Sequence, residues 1–278
     1  MKTLRVAAVA AASALAMSVP ASANHSWGNY HWATTGTLSV KVNSLISGQW
    51  PSYIDGAISD WEKSTVLSLG SRNPASGDAK KCGAITGQIL VCNAAYGQRQ
   101  WLGIANIWLS NGHITKATTR LNDSYFNMAQ YNTPAWRRLV ACQEIGHDFG
   151  LDHQDENFSN ANLGTCMDYT SDPDGGGAYG PSNEHPNQHD YDQLKLIYNH
   201  SDGYTSATAS TNFGVRELGK AASSAAPASG GNSVAEWGRA IHTDGLGRPD
   251  VFVRDFGRGE KMITHVFWTL EARRGDIQ

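Results

Sequence analysis

The chain has 278 residues and a formal net charge of -3, a balance that argues against a nucleic-acid or anionic-membrane partner. Hydrophobic residues make up 40% of it, enough for one domain with a substantial core plus an appendage. Lys2 and Arg5 precede an apolar run over residues 6–19, and Ala21-Ser22-Ala23 is a small-residue cleavage site, so residues 1–23 read as a secretory signal peptide. No later segment is apolar enough to span a bilayer, and the mature protein is expected to be soluble, monomeric and exported to the extracellular or periplasmic space.

After the signal, Leu38, Val40 and Val42 alternate with polar residues as a half-buried strand does. Residues 51–63 follow as a helix with Ala57, Ile58 and Trp61 on one face, and residues 66–69 as a short strand. Residues 101–109 (WLGIANIWL) and 113–121 form two strands across an Asn111-Gly112 turn, with His113 read as a turn or surface residue. Trp27, Trp32, Trp50 and Trp61 fit core or interface packing.

Residues 134–149 carry the marks of a helix: Thr133 to cap it, Pro134 in its first turn, and Trp136, Leu139, Val140 and Phe149 at helical spacing. On that helix Gln143 and His147 lie one turn apart on one face with Glu144 beside them. Gly150 then turns the chain so that His153 returns toward His147. Three donor side chains and a carboxylate converge, which is the arrangement of an open metal site with a general base.

The run QEIGHDFGLDH, from Gln143 to His153, resembles the zinc signature HExxHxxGxxH of the metzincin metallopeptidases, and its GHDFGLDH half is similar to the matrixins. It departs at the first ligand, where Gln143 stands for His. The segment GTCMDYT places Met167 where the clan has its methionine turn, and Tyr169 resembles the tyrosine that astacins and serralysins bring to the metal. The resemblance implies an α+β fold: a metzincin-like catalytic domain with a twisted mixed sheet, a long zinc-site helix and a C-terminal helix, plus a small C-terminal hairpin. It implies Gln143, His147 and His153 as metal ligands, Glu144 as general base, Tyr169 as oxyanion partner, and Gly150 and Met167 as structural residues. The implied reaction is zinc-dependent hydrolysis of protein or peptide substrates, and the hairpin at residues 101–121 supplies the sheet edge on which an extended substrate lies. The alternative is an impaired protein of this fold acting as a secreted binding module.

Four cysteines, Cys82, Cys92, Cys142 and Cys166, lie beyond the signal peptide, where disulfides persist. They permit three pairings. The favoured one joins Cys82 to Cys92 across a glycine-containing loop and Cys142 to Cys166 next to Met167. Residues 152–174 are acidic, and Ca2+ is a second cofactor to consider there, against a plain solvated surface. His185 and His189, four apart around Pro186, could bind metal or supply the absent third ligand, against the simpler reading of surface histidines before a helix that begins near Tyr191.

These signals divide the chain into the leader (residues 1–23), a metallopeptidase-like domain (24–202), an Ala/Ser/Gly-rich linker (203–232) and a β-rich segment (233–278). The last is too short to sustain a core alone, and it is expected to dock on the main domain or act as a small binding module.

Overall fold

A computed structural model of the chain describes residues 25–177, 180–208, 226–272 and 275; the signal peptide and much of the linker lie outside the described residues. The centre of the molecule is a hairpin, β7 (Trp101–Ser110) and β8 (His113–Asn122), paired from Gly103↔Leu121 to Ser110↔His113 with a register shift between Trp108 and Leu109. Asn111 and Gly112 both have positive φ, 50° and 90°, the backbone that a two-residue hairpin turn requires and that this pair tolerates.

On one side of the hairpin the sheet is parallel. The strand β6 (Ile89–Ala94) pairs with β8, then β3 (Val42–Leu45) with β6, and β5 (Asn73–Pro74) with β3. The two residues of β1 (His31–Trp32) also pair parallel to β8, at His113 and Ile114. The expected strand around Leu38 to Val42 is split. Leu38–Ser39 (β2) pairs with Leu67–Ser68 (β4) in a separate two-stranded sheet, and only from Val42 does the chain join the main one. The alternation of apolar residues runs unbroken through the change of partner, so sequence periodicity passes over it.

On the other side the sheet is antiparallel, and it is made by the C-terminal segment. Glu260–Trp268 (β11) pairs with β7 from Glu260↔Ser110 to Trp268↔Trp101, Pro249–Gly257 (β10) pairs with β11, and Arg239–Thr243 (β9) forms the edge. The expected docking of this hairpin is thus an extension of the main sheet, which reaches nine strands of mixed direction. A short helix, α5 (Val234–Trp237), precedes it. This α+β architecture agrees with the expected fold class.

The alternation along β11 explains the docking. Ile263 and Phe267 face the main core with Val251, Ile107, Leu139 and Val140, while Val266 and Trp268 join Trp101, Ile104, Phe252 and Trp237 in a second cluster on the opposite face. Both faces of the strand are buried, and at about 25 cal/mol per Å² of apolar area this holds the segment far more firmly than a hairpin in water.

The helices α1 (Trp50–Trp61) and α3 (Pro134–His147) pack against each other, and α3 also contacts β7, β8 and β11. The Thr133 hydroxyl accepts from the Trp136 amide, as the sequence predicts, and the Trp61 indole donates to the Cys142 carbonyl. A short turn of helix, α2 (Asp123–Phe126), leads from β8 toward α3. The last long helix, α4 (Gln188–Tyr198), starts earlier than its apolar pattern because Asn187 and Asp190 form a reciprocal capping box. Disulfides join Cys82 to Cys92 and Cys142 to Cys166. Trp27, Trp32, Trp50 and Trp61 are all buried, and no described helix is long and apolar enough to cross a membrane.

Candidate metal centre

The last residue of α3 is His147, and the turn that follows brings the chain back against it. Gly150 has φ +88°, and a Cβ there would lie 2.3 Å from the Tyr30 carbonyl oxygen, so only glycine lets the N-terminal segment pass this close. The Leu151 carbonyl accepts from His147 Nδ1 at 2.8 Å. A carbonyl can only accept, so Nδ1 carries the proton and Nε2 keeps its lone pair. His153 is set in the same way by the contact of its Nδ1 with the Glu156 carboxylate at 3.1 Å, which leaves its Nε2 as an acceptor too.

The third imidazole comes from β11. His265 pairs in register with Ala105 of β7 and faces α3 between Ile263 and Phe267. Ligand atoms of His147, His153 and His265 lie within 4.8 Å of one another. The His265 ring stacks on His147 with centroids 3.8 Å apart and meets His153 edge-on at 4.2 Å. Trp27 covers the group, stacking on both His147 and His265. The chain therefore presents three imidazoles at one point, one of them not foreseen from the sequence.

The unsatisfied polar atoms are concentrated here. Nε2 of His147, Nε2 of His153, both ring nitrogens of His265, both amide atoms of Gln143 and both carboxylate oxygens of Glu144 are buried with no hydrogen-bond partner. Buried polar atoms left bare cost roughly 1–3 kcal/mol each, so the four bare nitrogens of these three gathered rings call for a group that satisfies several together. Three neutral imidazoles with inward lone pairs are the donor set that zinc takes, and the residues fit such an ion.

Electrostatics agree with that reading. Burial pushes His147 well below its ordinary value, helped by the nearby His153, and burial followed by the charges of His147 and His153 does the same to His265. Both imidazoles are kept neutral, the form that binds metal. Burial raises the Glu144 carboxyl well above the usual range, and Asp148 raises it further, against a smaller opposing contribution from the Ala105 backbone. Asp148 is itself raised by burial, opposed by its bond from the Thr119 hydroxyl at 2.8 Å.

The other expected site residues are placed as follows. Gln143 is fully buried on α3 beside Glu144. Met167 is buried with its sulfur against Gly146 of α3, held by the Thr165 hydroxyl on its amide and by the Cys142–Cys166 bridge beside it. The Tyr169 ring lies 4.0 Å from His153, and its hydroxyl donates to Asp250 of β10 at 3.0 Å. His185 is bonded to Asp60, and His189 stacks on His25, so neither completes this group. The acidic loop is less solvated than its composition suggests. Asp168 is fully buried and accepts from the Leu163 amide and the Asn183 side chain, while Asp155 accepts from Asn157 and Asn160.

No protein-family model matches the chain, and no curated protein matches it. A solved structure described as "Structure of myroilysin" superposes over 63% of this chain and 98% of its own with a TM-score of 0.35 and 10% identity. An overlap that loose assigns no family.

The one signal that could have found His265 is its place in the run Ile263 to Phe267. A histidine on the apolar face of a strand, between two core residues, has to find a partner inside.

Proposed function

We propose that this chain is an exported zinc-dependent endopeptidase of metzincin type, with Glu144 as general base. The observation that carries this reading is the completion of the imidazole set by His265, with Glu144 fully buried on the same helix three residues before His147. Hydrocarbon packing gives no reason for three inward imidazole lone pairs at one buried point. His147, His153 and His265 would hold the ion, and Gln143, with its amide also unpartnered, offers a further oxygen from the helical position where the family has its first histidine.

When bound, zinc supplies a Lewis acid that polarises the scissile carbonyl and acidifies water. Glu144 accepts a proton from the attacking water and passes it to the leaving amine, so the reaction needs no covalent intermediate. Glu156 and the Leu151 carbonyl fix His153 and His147 in the tautomer that points Nε2 inward. Tyr169 stands beside His153 as the candidate oxyanion donor. Its single hydroxyl proton is engaged by Asp250, so that role requires the bond to be exchanged during turnover.

A second reading is favoured by the pairing of β11 along β7. That strand edge is where an extended peptide would add, and here the chain's own hairpin fills it. A protein that keeps its metal but never admits a substrate would be a secreted binding module. Cleavage of an unfolded protein substrate by the native form and by Glu144→Gln, with zinc measured in both, separates the two. Cleavage that disappears in the variant while its zinc stays supports the peptidase; zinc in both with cleavage in neither leaves the binding protein; absence of zinc removes both readings of this centre.

A further inference from the structure

A second histidine cluster lies at the far end of β8 from the expected site. His31 of β1 and His113 of β8 are register partners in the parallel pairing of those strands, and their rings meet edge-on with centroids 4.8 Å apart. The chain returns to them after α4 with His200 and Asp202. Asp202 Oδ1 is the hub: Nε2 of His113 is 3.2 Å away, Nε2 of His200 3.2 Å, and Nε2 of His31 3.4 Å. His200 Nε2 is also 3.0 Å from His31 Nε2.

Protons alone satisfy this arrangement poorly. His31 Nδ1 lies 2.7 Å from the Asn29 carbonyl and must donate to it, so in neutral His31 the Nε2 carries a lone pair. That lone pair faces a carboxylate oxygen, which is also an acceptor. A second proton on His31 would let it donate to Asp202, but His200 would then donate to the same oxygen with the two Nε2–H groups only 3.0 Å apart. A divalent cation among the four atoms resolves both conflicts. Ligands at about 2.0–2.2 Å in a tetrahedron stand roughly 3.3–3.6 Å from one another; the three imidazole nitrogens lie 3.2 to 3.4 Å from Asp202 Oδ1, and those of His31 and His200 lie 3.0 Å apart.

The surroundings are those of ligands held for a metal. His31 is oriented by the Asn29 carbonyl, His113 Nδ1 by the Tyr204 hydroxyl at 3.0 Å, and the second oxygen of Asp202 by the Thr34 amide at 2.8 Å. Such partners fix the ring and leave Nε2 toward the centre. We infer that His31, His113 and Asp202, whose ligand atoms all lie within 4.8 Å of one another, form a second zinc-binding site with a structural role, and that His200, with Nε2 3.0 Å from that of His31, turns in as its fourth ligand. Four protein ligands leave no position for substrate, and the three segments they join, the N-terminal strand, the β7–β8 turn and the chain after α4, share no disulfide.

The test is a zinc count on the purified full-length mature protein after equilibration with zinc and removal of the unbound metal, comparing wild type with His200→Gln, His113→Gln and His265→Ala. His200 is the ligand with the most exposed side chain, 40%, so its replacement leaves packing nearly untouched. The expected result is the loss of one equivalent in each of the first two variants, with the remainder lost when His265→Ala is added. Zinc that survives His265→Ala and disappears with His200→Gln supports this site even if the centre under β11 holds none. A zinc content unchanged by both His200→Gln and His113→Gln overturns it. Cobalt gives a second readout: a four-coordinate absorption band present in His265→Ala and absent in His200→Gln is expected, and the same spectrum in both would sink the assignment.

Discussion

Under β11 three imidazoles face one another with no carboxylate between them, sealed by Trp27 and by the strand itself; at the start of β8 a carboxylate is the hub, and His200 reaches solvent. In the first group the remaining polar side chains are Gln143 and Glu144, buried on the same helix as His147, and the Gln143 amide has no hydrogen-bond partner. In the second, Asp202 spends one oxygen on the imidazoles and the other on a backbone amide. On the proposed assignments, the difference is the one between a centre with coordination to spare and one that the protein would fill. Chemistry is expected only where a position is left over.

The sharpest way to break this contrast is Glu144→Gln, which keeps the helix position and removes the base. Peptidase activity is expected to fall by roughly 10²–10⁴-fold with zinc content unchanged, measured as cleavage of a denatured protein alongside metal analysis. Equal activity in variant and wild type would leave no asymmetry between the clusters. Next in size, His265→Ala should abolish activity together with one zinc equivalent, whereas His200→Gln should remove zinc and lower the midpoint of thermal unfolding while the rate per folded molecule stays within about twofold.

The Cys142–Cys166 bridge closes a span of 24 residues that includes His147 and His153. Replacing both cysteines by Ala should cost about 2–4 kcal/mol in denaturant unfolding. It should weaken zinc retention at the centre under β11 and leave the cluster around Asp202 unaffected. A uniform loss at both would mean that the bridge supports the whole domain rather than this site.

The smallest effect concerns His242 of β9, which contacts Asp250 at 2.9 Å. Its pKa is raised to about 9, first by the Asp250 hydrogen bond, against burial, and further by the charges of Asp250 and Glu156. Because the folded value lies above the unfolded one, the stabilisation is complete below about pH 6.5 and is lost as pH rises through about 9. His242→Gln should therefore flatten the dependence of stability on pH across that window, read from unfolding midpoints. His242 is partly exposed, so the change is expected to be slight.

Much of the first centre was legible because its parts are local. The cap at Thr133, the one-turn spacing of Gln143 and His147, and the glycine turn before His153 are all written within a single stretch, and the structure reproduces them. His265 was not legible as part of the same site. Its approach depends on β11 pairing with β7, a contact over more than a hundred residues whose register follows from burial on both faces of the strand. The Asp202 cluster was hidden for the same reason: His113 reads as a turn residue until His31 is paired beside it and the chain after α4 folds back. The strand expected through Leu38 and Val42 failed in the opposite way, since a continuous pattern concealed a change of partner.

The placement of His265 also bears on the order in which the protein matures. A chain that emerges from a ribosome or a translocation pore N-terminus first offers two imidazoles long before the third, and at that stage its grip on an ion is weak. If zinc binds as proposed, full loading would wait until the C-terminal hairpin has docked, and hydrolytic power would stay off while the polypeptide is still in transit. Metal content would then serve as a stamp of completed assembly, missing from nascent or clipped molecules.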